Sequence, residues 1–397
     1  MRVTHVITRL IVGGAQENTI ASVLGLQQKP GLEVNLISGL STGPEGSLES
    51  SFAHSPQPLV ILPDLVRPIH PWKDWMALRR LTQIFRQRKP DVVHTHSGKA
   101  GILGRLAAAR AGVPVIVHTI HGPSFGSFQV RLANWAFCSA ERRAARVTTH
   151  FVTVADAMTA QYLAAGIGQA GQYTRIFSGF DLEPYLSAAT NPQPDTARTE
   201  LRARLGIAPT DFVIGKIARL FKLKGHDDLF AVAPELVQSH PQIKFLLVGD
   251  GAWRSRFENK AQALGLEKHF VFAGLVPPGQ VPQYIGLMDA LVHLSLREGL
   301  PRALPQALAA GRPVVAYDCD GAKEVCIENE TGFLLRPGDL LGLTDRLLRL
   351  ARDAALRERL GKNGQQFVKE RFNVGRMIDD LYKLYLKLAA GHGVPIQ

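Results

Sequence analysis

The sequence predicts an α/β protein built from two Rossmann-like domains, and three observations carry that prediction. Short runs of Val, Ile and Leu alternate with helical stretches along the whole chain. Those runs are apolar at nearly every position, as in strands of a parallel sheet covered on both faces. They form two series, and 397 residues suffice for two cores.

Taken in order, the first series is "VTHVIT", "EVNLISG", "PLVIL", "DVVHTH", "PVIVHT" and "RVTTHFVTVA". The second is "DFVIGKIARL", "IKFLLVGD", "HFVFAG", "DALVHLS", "RPVVAYD" and "TGFLL". Between them "FSGFDLEPYLSAATNPQPDTA" is rich in Ser, Pro, Asn and Ala and is read as a joint without helical periodicity. The expected organisation is an N-terminal domain over 1–180, a linker over 181–197 and a C-terminal domain over 198–375. The amphipathic segment "GRMIDDLYKLYLKLA" heads a final helix, 376–397, expected to pack back on the first domain.

Composition excludes several classes. No apolar run approaches the roughly 18 residues of a spanning helix. The start, "MRVTHVITRLIVGGA", reads as a first strand rather than a secretory signal, so a cytoplasmic protein is expected. Cys138, Cys319 and Cys326 show no paired spacing and suit a reducing compartment. The net charge is +12, and residues 1–180 hold 18 Lys/Arg against 9 Asp/Glu, so most of the excess lies in the first half. A basic half can meet nucleic acid, an anionic membrane or phosphorylated substrates. Aromatic residues are not interleaved with the basic runs, which argues against nucleic acid.

Several motifs carry chemistry. In "TRLIVGGAQENTIASVL", Gly13 and Gly14 are expected to allow positive φ before a helix whose free N–H groups can hold an anion. The plainer reading is an ordinary strand-to-helix turn. "VIGKIARLFKLKGHDDLF" places Arg219 and Lys224 after a strand, where ligands of parallel α/β sheets lie; two cations there suit a diphosphate. "FVFAG" offers Phe272 and Gly274 at a strand end where a base could sit. His94, His96, His118 and His121 suggest zinc, but their spacings are read as alternating across strands rather than closing a tetrahedron. His94 and His118 are read as core histidines and His121, before Gly122, as the one placed for a ligand. Asp318 and Asp320 form a D-x-D read as a strand-end turn rather than a metal motif. In "REGLPRALPQALAAGRPVVA", Glu298 precedes a short helix, and Gln306 stands eight positions on.

Read together, "GGAQ", "HTIHG", "ARLFKLKG", "VGDG", "FAG", "EGLPRALPQALAAGRPVVA" and "DGAKEVCIENETGFLLRPGD" resemble the retaining glycosyltransferases of family 4, which have the GT-B fold. The resemblance covers nearly the whole chain. It implies two Rossmann-like domains facing each other across a donor cleft, and a UDP- or GDP-sugar donor used without metal or other cofactor. It implies that Arg219 and Lys224 neutralise the departing diphosphate, that Glu298 holds sugar hydroxyls, and that N–H groups near Gly299 and Leu300 add phosphate contacts. The loop at Gly13 and Gly14 would face the donor, and His121 would orient the sugar rather than act as a conventional base. Gln306 stands where the family carries a second Glu for the ribose hydroxyls, and Ser178 where it often has Asn.

The implied acceptor is a glycan or lipid-linked hydroxyl in cell-surface glycan or glycolipid synthesis. Residues 70–90, with Trp72 and Trp75, read either as a basic helix resting on an anionic inner membrane face or as a surface helix turning Leu78, Leu81 and Phe85 to the core. Rival functions are a nucleotide-sugar 2-epimerase on the same fold and, from another class, a basic nucleic-acid-binding protein.

Overall fold

The structure is a computed structural model that describes residues 1–41, 46–126, 128–190 and 196–395. The chain runs β1 (Arg2–Ile7), α1 (Gly14–Leu26), β2 (Glu33–Ser38), β3 (Val60–Ile61), α2 (Pro71–Arg88), β4 (Val92–His96), α3 (Gly98–Ala111), β5 (Val115–Ile120), α4 (Arg131–Ala145), β6 (His150–Thr153), α5 (Asp156–Ala164) and β7 (Tyr173–Arg175). It continues α6 (Glu183–Thr190), α7 (Thr196–Arg204), β8 (Phe212–Ile217), α8 (His226–Ser239), β9 (Ile243–Val248), α9 (Arg254–Ala263), β10 (Phe270–Gly274), α10 (Val281–Gly286) and β11 (Ala290–His293). It ends α11 (Ala303–Ala309), β12 (Val314–Tyr317), β13 (Gly332–Leu335), α12 (Leu340–Arg352), α13 (Ala354–Arg371) and α14 (Val374–Gly391).

Two compact units result: Met1–Phe180 with Val374–Gln397, and Asp181–Asn373. The first holds a parallel sheet of order β3-β2-β1-β4-β5-β6-β7. Its five inner strands are buried on both faces, with Val3, Ile7, Val34, Leu36, Val92, Val115 and Val117 in one core, and the edge strands β3 and β7 are only partly buried. Helix α14 closes that core with Met377, Leu381, Leu384 and Tyr385, all buried. The second unit holds a parallel sheet of order β10-β9-β8-β11-β12-β13. Numbered within the unit this is 3-2-1-4-5-6, the doubly wound order that places ligands where the winding reverses, here between β8 and β11. In the first unit the same reversal falls between β1 and β4, where His5 is in register with His94.

Three elements differ from the sequence reading. Most of the described part of the expected linker is helical: α6 buries Tyr185 one turn after the buried Leu182, a spacing that Pro184 and the polar residues around it mask. Residues 191–195 of that linker, and 396–397 of the expected final helix, lie outside the described residues. Helix α14 begins at Val374 and stops at Gly391, just before the left-handed Gly393. Strand β7 was not anticipated, because its three residues are polar or aromatic and sit at the sheet edge. No helix among the described residues is long and apolar enough to cross a membrane.

Candidate active site

In the second unit the site grows from the loop after β8. Gly225, at φ 65°, caps α8, and a Cβ there would lie 2.0 Å from the Leu294 carbonyl oxygen, so the loop closes against the end of β11 only with glycine. Leu223 is also left-handed, at φ 67°, and its carbonyl accepts from the Leu296 N–H at 2.9 Å. Between these two residues Lys224 is turned onto the Glu298 carboxylate, and the pair is in direct contact. Their side chains keep 19% and 23% of their surface exposed, so a ligand can reach both.

Glu298 is itself anchored: its N–H donates to the Asp320 carboxylate at 2.7 Å. Burial pushes the Glu298 carboxyl up, but Lys224 and His293 outweigh it and hold the group below its usual range. His293 Nε2 lies 3.7 Å from Glu298 Oε1, and burial drives that imidazole down to about 3. Under the pair, on β8, Lys216 is 1% exposed and its ammonium has no hydrogen-bond partner among the described residues. Burial, then Lys224, push it down to about 7. Arg219 follows β8, and its carbonyl meets His226 Nε2 at 3.1 Å. Gly249, at φ 130°, lets the next loop approach, since a Cβ would meet the Ala218 carbonyl at 2.3 Å.

The other expected residues of this unit lie nearby in the fold or at its edge. Gly299 and Leu300 follow Glu298 directly, and the Gly299 carbonyl accepts from the Gly321 N–H. Gln306 is half-buried in the middle of α11. Phe272 lies on the outermost strand β10, packed against the core, and the Gly274 carbonyl accepts from the Gly249 N–H at 2.9 Å. Asp320 begins a 3₁₀ turn after β12 and holds the Glu298 loop, in keeping with a turn. Sequence reasoning passed over Lys216, His293 and Asp320 as site residues. A lone Lys within "FVIGKI" was the available signal for the first.

In the first unit Gly13 is extended at φ 169° and neither it nor Gly14 has the positive φ expected of them; Gly14 instead opens α1. The space Gly13 leaves is filled by Gln16, whose Oε1 would lie 2.9 Å from an added Cβ. The histidines also correct the sequence reading. His94 and His96, two apart on β4, share one face and stack at 4.4 Å, as period-two geometry requires. His118 takes the opposite face, against Thr95. His5 of β1 joins the first pair: His5 Nδ1 lies 2.9 Å from His96 Nε2, and its Nε2 lies 3.2 Å from the Tyr385 hydroxyl. His96 Nδ1 meets His121 Nε2 at 3.0 Å, just beyond β5. His94 contacts the Tyr385 hydroxyl through Nδ1 and Thr119 Oγ1, at 2.6 Å, through Nε2. His5, His94 and His96 have the proximity of a metal-ligand set, but all six of their ring nitrogens have protein partners. Burial holds all three well below the ordinary histidine range.

Two parallel sheets of doubly wound order, flanked by helices, define a GT-B protein. The structure of Anabaena HepE in complex with UDP and glucose superposes with a TM-score of 0.82 at 22% identity, covering 98% of this chain and all of the other. WaaG, a glycosyltransferase involved in lipopolysaccharide biosynthesis, gives 0.73 at 15% identity, over 96% and 99% of the two chains. Residues 14–176 match the glycosyl transferase 4-like domain, and residues 197–367 match glycosyl transferases group 1. The chain belongs to the family-4-type, group 1 glycosyltransferases. It is 28% identical over 332 residues to the UDP-Gal:alpha-D-GlcNAc-diphosphoundecaprenol alpha-1,3-galactosyltransferase of Escherichia coli, covering 82% of this chain and 83% of that one. It is 22% identical to the capsular polysaccharide biosynthesis glycosyltransferase CapM of Staphylococcus aureus, over 92% and 93%.

Proposed function

We propose that this glycosyltransferase moves a sugar from a nucleoside-diphosphate sugar to a hydroxyl acceptor with retention at the anomeric carbon and without a metal. The observation that carries the reading is the Lys224–Glu298 pair at the winding reversal of the second unit, with Asp320 fixing the Glu298 loop. Donor binding exchanges that pair for two new partners: Lys224 and Arg219 take the diphosphate, and Glu298 takes sugar hydroxyls. As the glycosidic C–O bond breaks, negative charge grows on the diphosphate oxygen, and fixed cations stabilise it without reorganising. The acceptor oxygen attacks from the same face, and its proton passes to the leaving phosphate oxygen. The N–H groups near Gly299 and Leu300 and the loop at Gly13 and Gly14 add contacts to the donor. Gln306 accepts from the ribose, the base lies by Phe272 and Gly274, and His121 orients the transferred sugar.

The HepE complexes with UDP and UDP-glucose support a uridine donor. The matched families are transferases, which supports transfer over epimerisation. The Escherichia coli and Staphylococcus aureus relatives support a glycan or lipid-linked acceptor in surface polysaccharide synthesis. Thermal shift with UDP-, GDP- and ADP-sugars tests the donor; release of nucleoside diphosphate then tests the residues. Arg219→Ala and Lys224→Ala are each expected to lower turnover by ~10²–10³ at saturating donor. Wild-type turnover in both variants would remove the mechanism.

Peripheral contact with an anionic membrane through 70–90, at the cytoplasmic face, is part of the proposal. Helix α2 buries Ala77, Leu81 and Phe85, yet leaves Trp72 and Trp75 stacked and 64% and 43% exposed, with Ile69 beside them in sequence at 71%. Vesicles containing anionic lipid should pellet the protein at low salt and release it at high salt. No pelleting at low salt sinks this part alone.

A further inference from the structure

Donor binding as proposed above draws Lys224 away from Glu298 and leaves a carboxylate in need of another cation. The Glu298 side chain keeps only 23% of its surface exposed, and sugar hydroxyls bring it hydrogens but no charge. A carboxylate that deep is costly without a compensating charge. His293 Nε2 is near, at 3.7 Å, but burial keeps that ring neutral at pH 7. One more nitrogen belongs to the same cluster. Lys216, on β8, is 1% exposed, and its ammonium has no hydrogen-bond partner among the described residues.

The groups around Lys216 act on it unequally. Lys224 repels its charge, whereas Glu298 and Asp228 attract it. Asp228, on α8, already accepts from the Tyr317 hydroxyl of β12 at 2.7 Å. Asp227, one residue earlier, is committed to Arg256 and Lys260. His226, which opens α8, is pushed down to about 3 by burial and is neutral. Strand β9 sets the apolar Leu247 in register with Lys216. Glu298 is the carboxylate of this cluster whose cation leaves.

We propose that Lys216 is the reserve counter-cation of Glu298: as Lys224 turns to the diphosphate, the Lys216 amine takes one proton from solvent and its ammonium pairs with the carboxylate. Lys216 acts through Glu298 and is a positioning residue, keeping the carboxylate ionised and aimed at the sugar hydroxyls. The step rests on the exchange of the Lys224–Glu298 pair proposed above. Its balance is one N–H bond formed on Nζ and one proton drawn from water or buffer. Before donor arrives, burial and then Lys224 hold Lys216 at about 7, so it is about nine-tenths neutral at pH 8 and about half neutral at pH 7. Loss of the repulsion and contact with Glu298 raise it, so donor binding takes up the missing proton.

Isothermal calorimetry on the full chain, in buffers of different ionisation enthalpy, counts the protons taken up on binding. The probe is UDP-glucose, whose diphosphate does not titrate between pH 7 and 8, or GDP- or ADP-glucose if thermal shift selects it. Uptake of about 0.9 proton at pH 8 and about 0.5 at pH 7 is expected, and affinity should fall about fivefold from pH 7 to 8. Binding without uptake overturns the proposal and leaves the transferase reading intact. In Lys216→Met the uptake should vanish and the pH dependence of affinity flatten. Unchanged uptake there sends the proton elsewhere and overturns the proposal. In Glu298→Gln the uptake should fall by about half or more, because the ammonium no longer meets a charge. Full uptake in that variant means that the diphosphate alone draws the proton, which also overturns the proposal. If none of the three nucleotide sugars binds wild type, the donor reading itself falls and this step falls with it.

Discussion

Lys216 is predicted to make the second unit less stable than it needs to be. Its side chain lies on the central strand β8 at 1% exposure with no hydrogen-bond partner for the ammonium among the described residues, while Lys224, Glu298 and Asp228 act on it from nearby elements. Burial lowers its titration from 10.5 to about 7. Each unit of that change corresponds to about 1.4 kcal/mol, so holding the residue charged costs on the order of 5 kcal/mol. The folded state thus binds fewer protons than the unfolded state between pH 7 and 10.5. Stability contributed by this group therefore rises with pH across that window and is lowest, and flat, below pH 7. Lys216→Met keeps the length of the chain and removes the charge. It should raise the unfolding free energy by ~2–4 kcal/mol at pH 7, less than the full figure because the new thioether must also repack. It should also abolish the gain that wild type shows from pH 7 to 9. Chemical denaturation followed at Trp253, which packs on the core of this unit, measures both. A variant no more stable at pH 7, with the pH slope intact, would refute the reasoning. The same variant should bind donor more weakly, because a charge beneath the proposed diphosphate site is lost.

In the first unit Arg105 and Glu141 form an ion pair at 2.5 Å with both side chains fully buried. Arg105→Ala strands the Glu141 carboxylate and should cost ~3–5 kcal/mol in chemical denaturation; a loss below about 1 kcal/mol means that water or a rearranged Ser124 already compensates. Gln306→Glu should tighten donor binding about fivefold by calorimetry, since a carboxylate accepts more strongly than an amide; equal or weaker binding removes Gln306 from the ribose contact.

Both sheets were legible because the signal for a doubly covered strand is local: "DVVHTH" or "IKFLLVGD" needs no knowledge of its neighbours. The position of Arg219 and Lys224 just after a strand was legible too, because strand and loop are adjacent in sequence. What escaped was long-range or weakly patterned. His5 meets His96 across 91 residues and Tyr385 across 380, and neither spacing leaves a mark in the sequence. The shared face of His94 and His96 was available from strand periodicity alone. Lys216 looked like one polar residue in an apolar strand, and only the fold shows that the strand is central. The glycines at 13 and 14 mislead for another reason: glycine permits a left-handed turn without requiring one, and here Gly14 simply enters a helix.

Helix α14 carries a kinetic consequence. Its Leu381 and Tyr385 complete the core of a unit whose strands were all made before residue 181. Translation proceeds at roughly 5–20 residues per second, so that core waits on the order of 10–40 s for its final piece. The continuous unit 181–373 can close first on the ribosome, reversing the usual amino-to-carboxyl order. During that interval the apolar groove that α14 later fills is open, and a nascent chain of this protein has reason to engage a holding chaperone there.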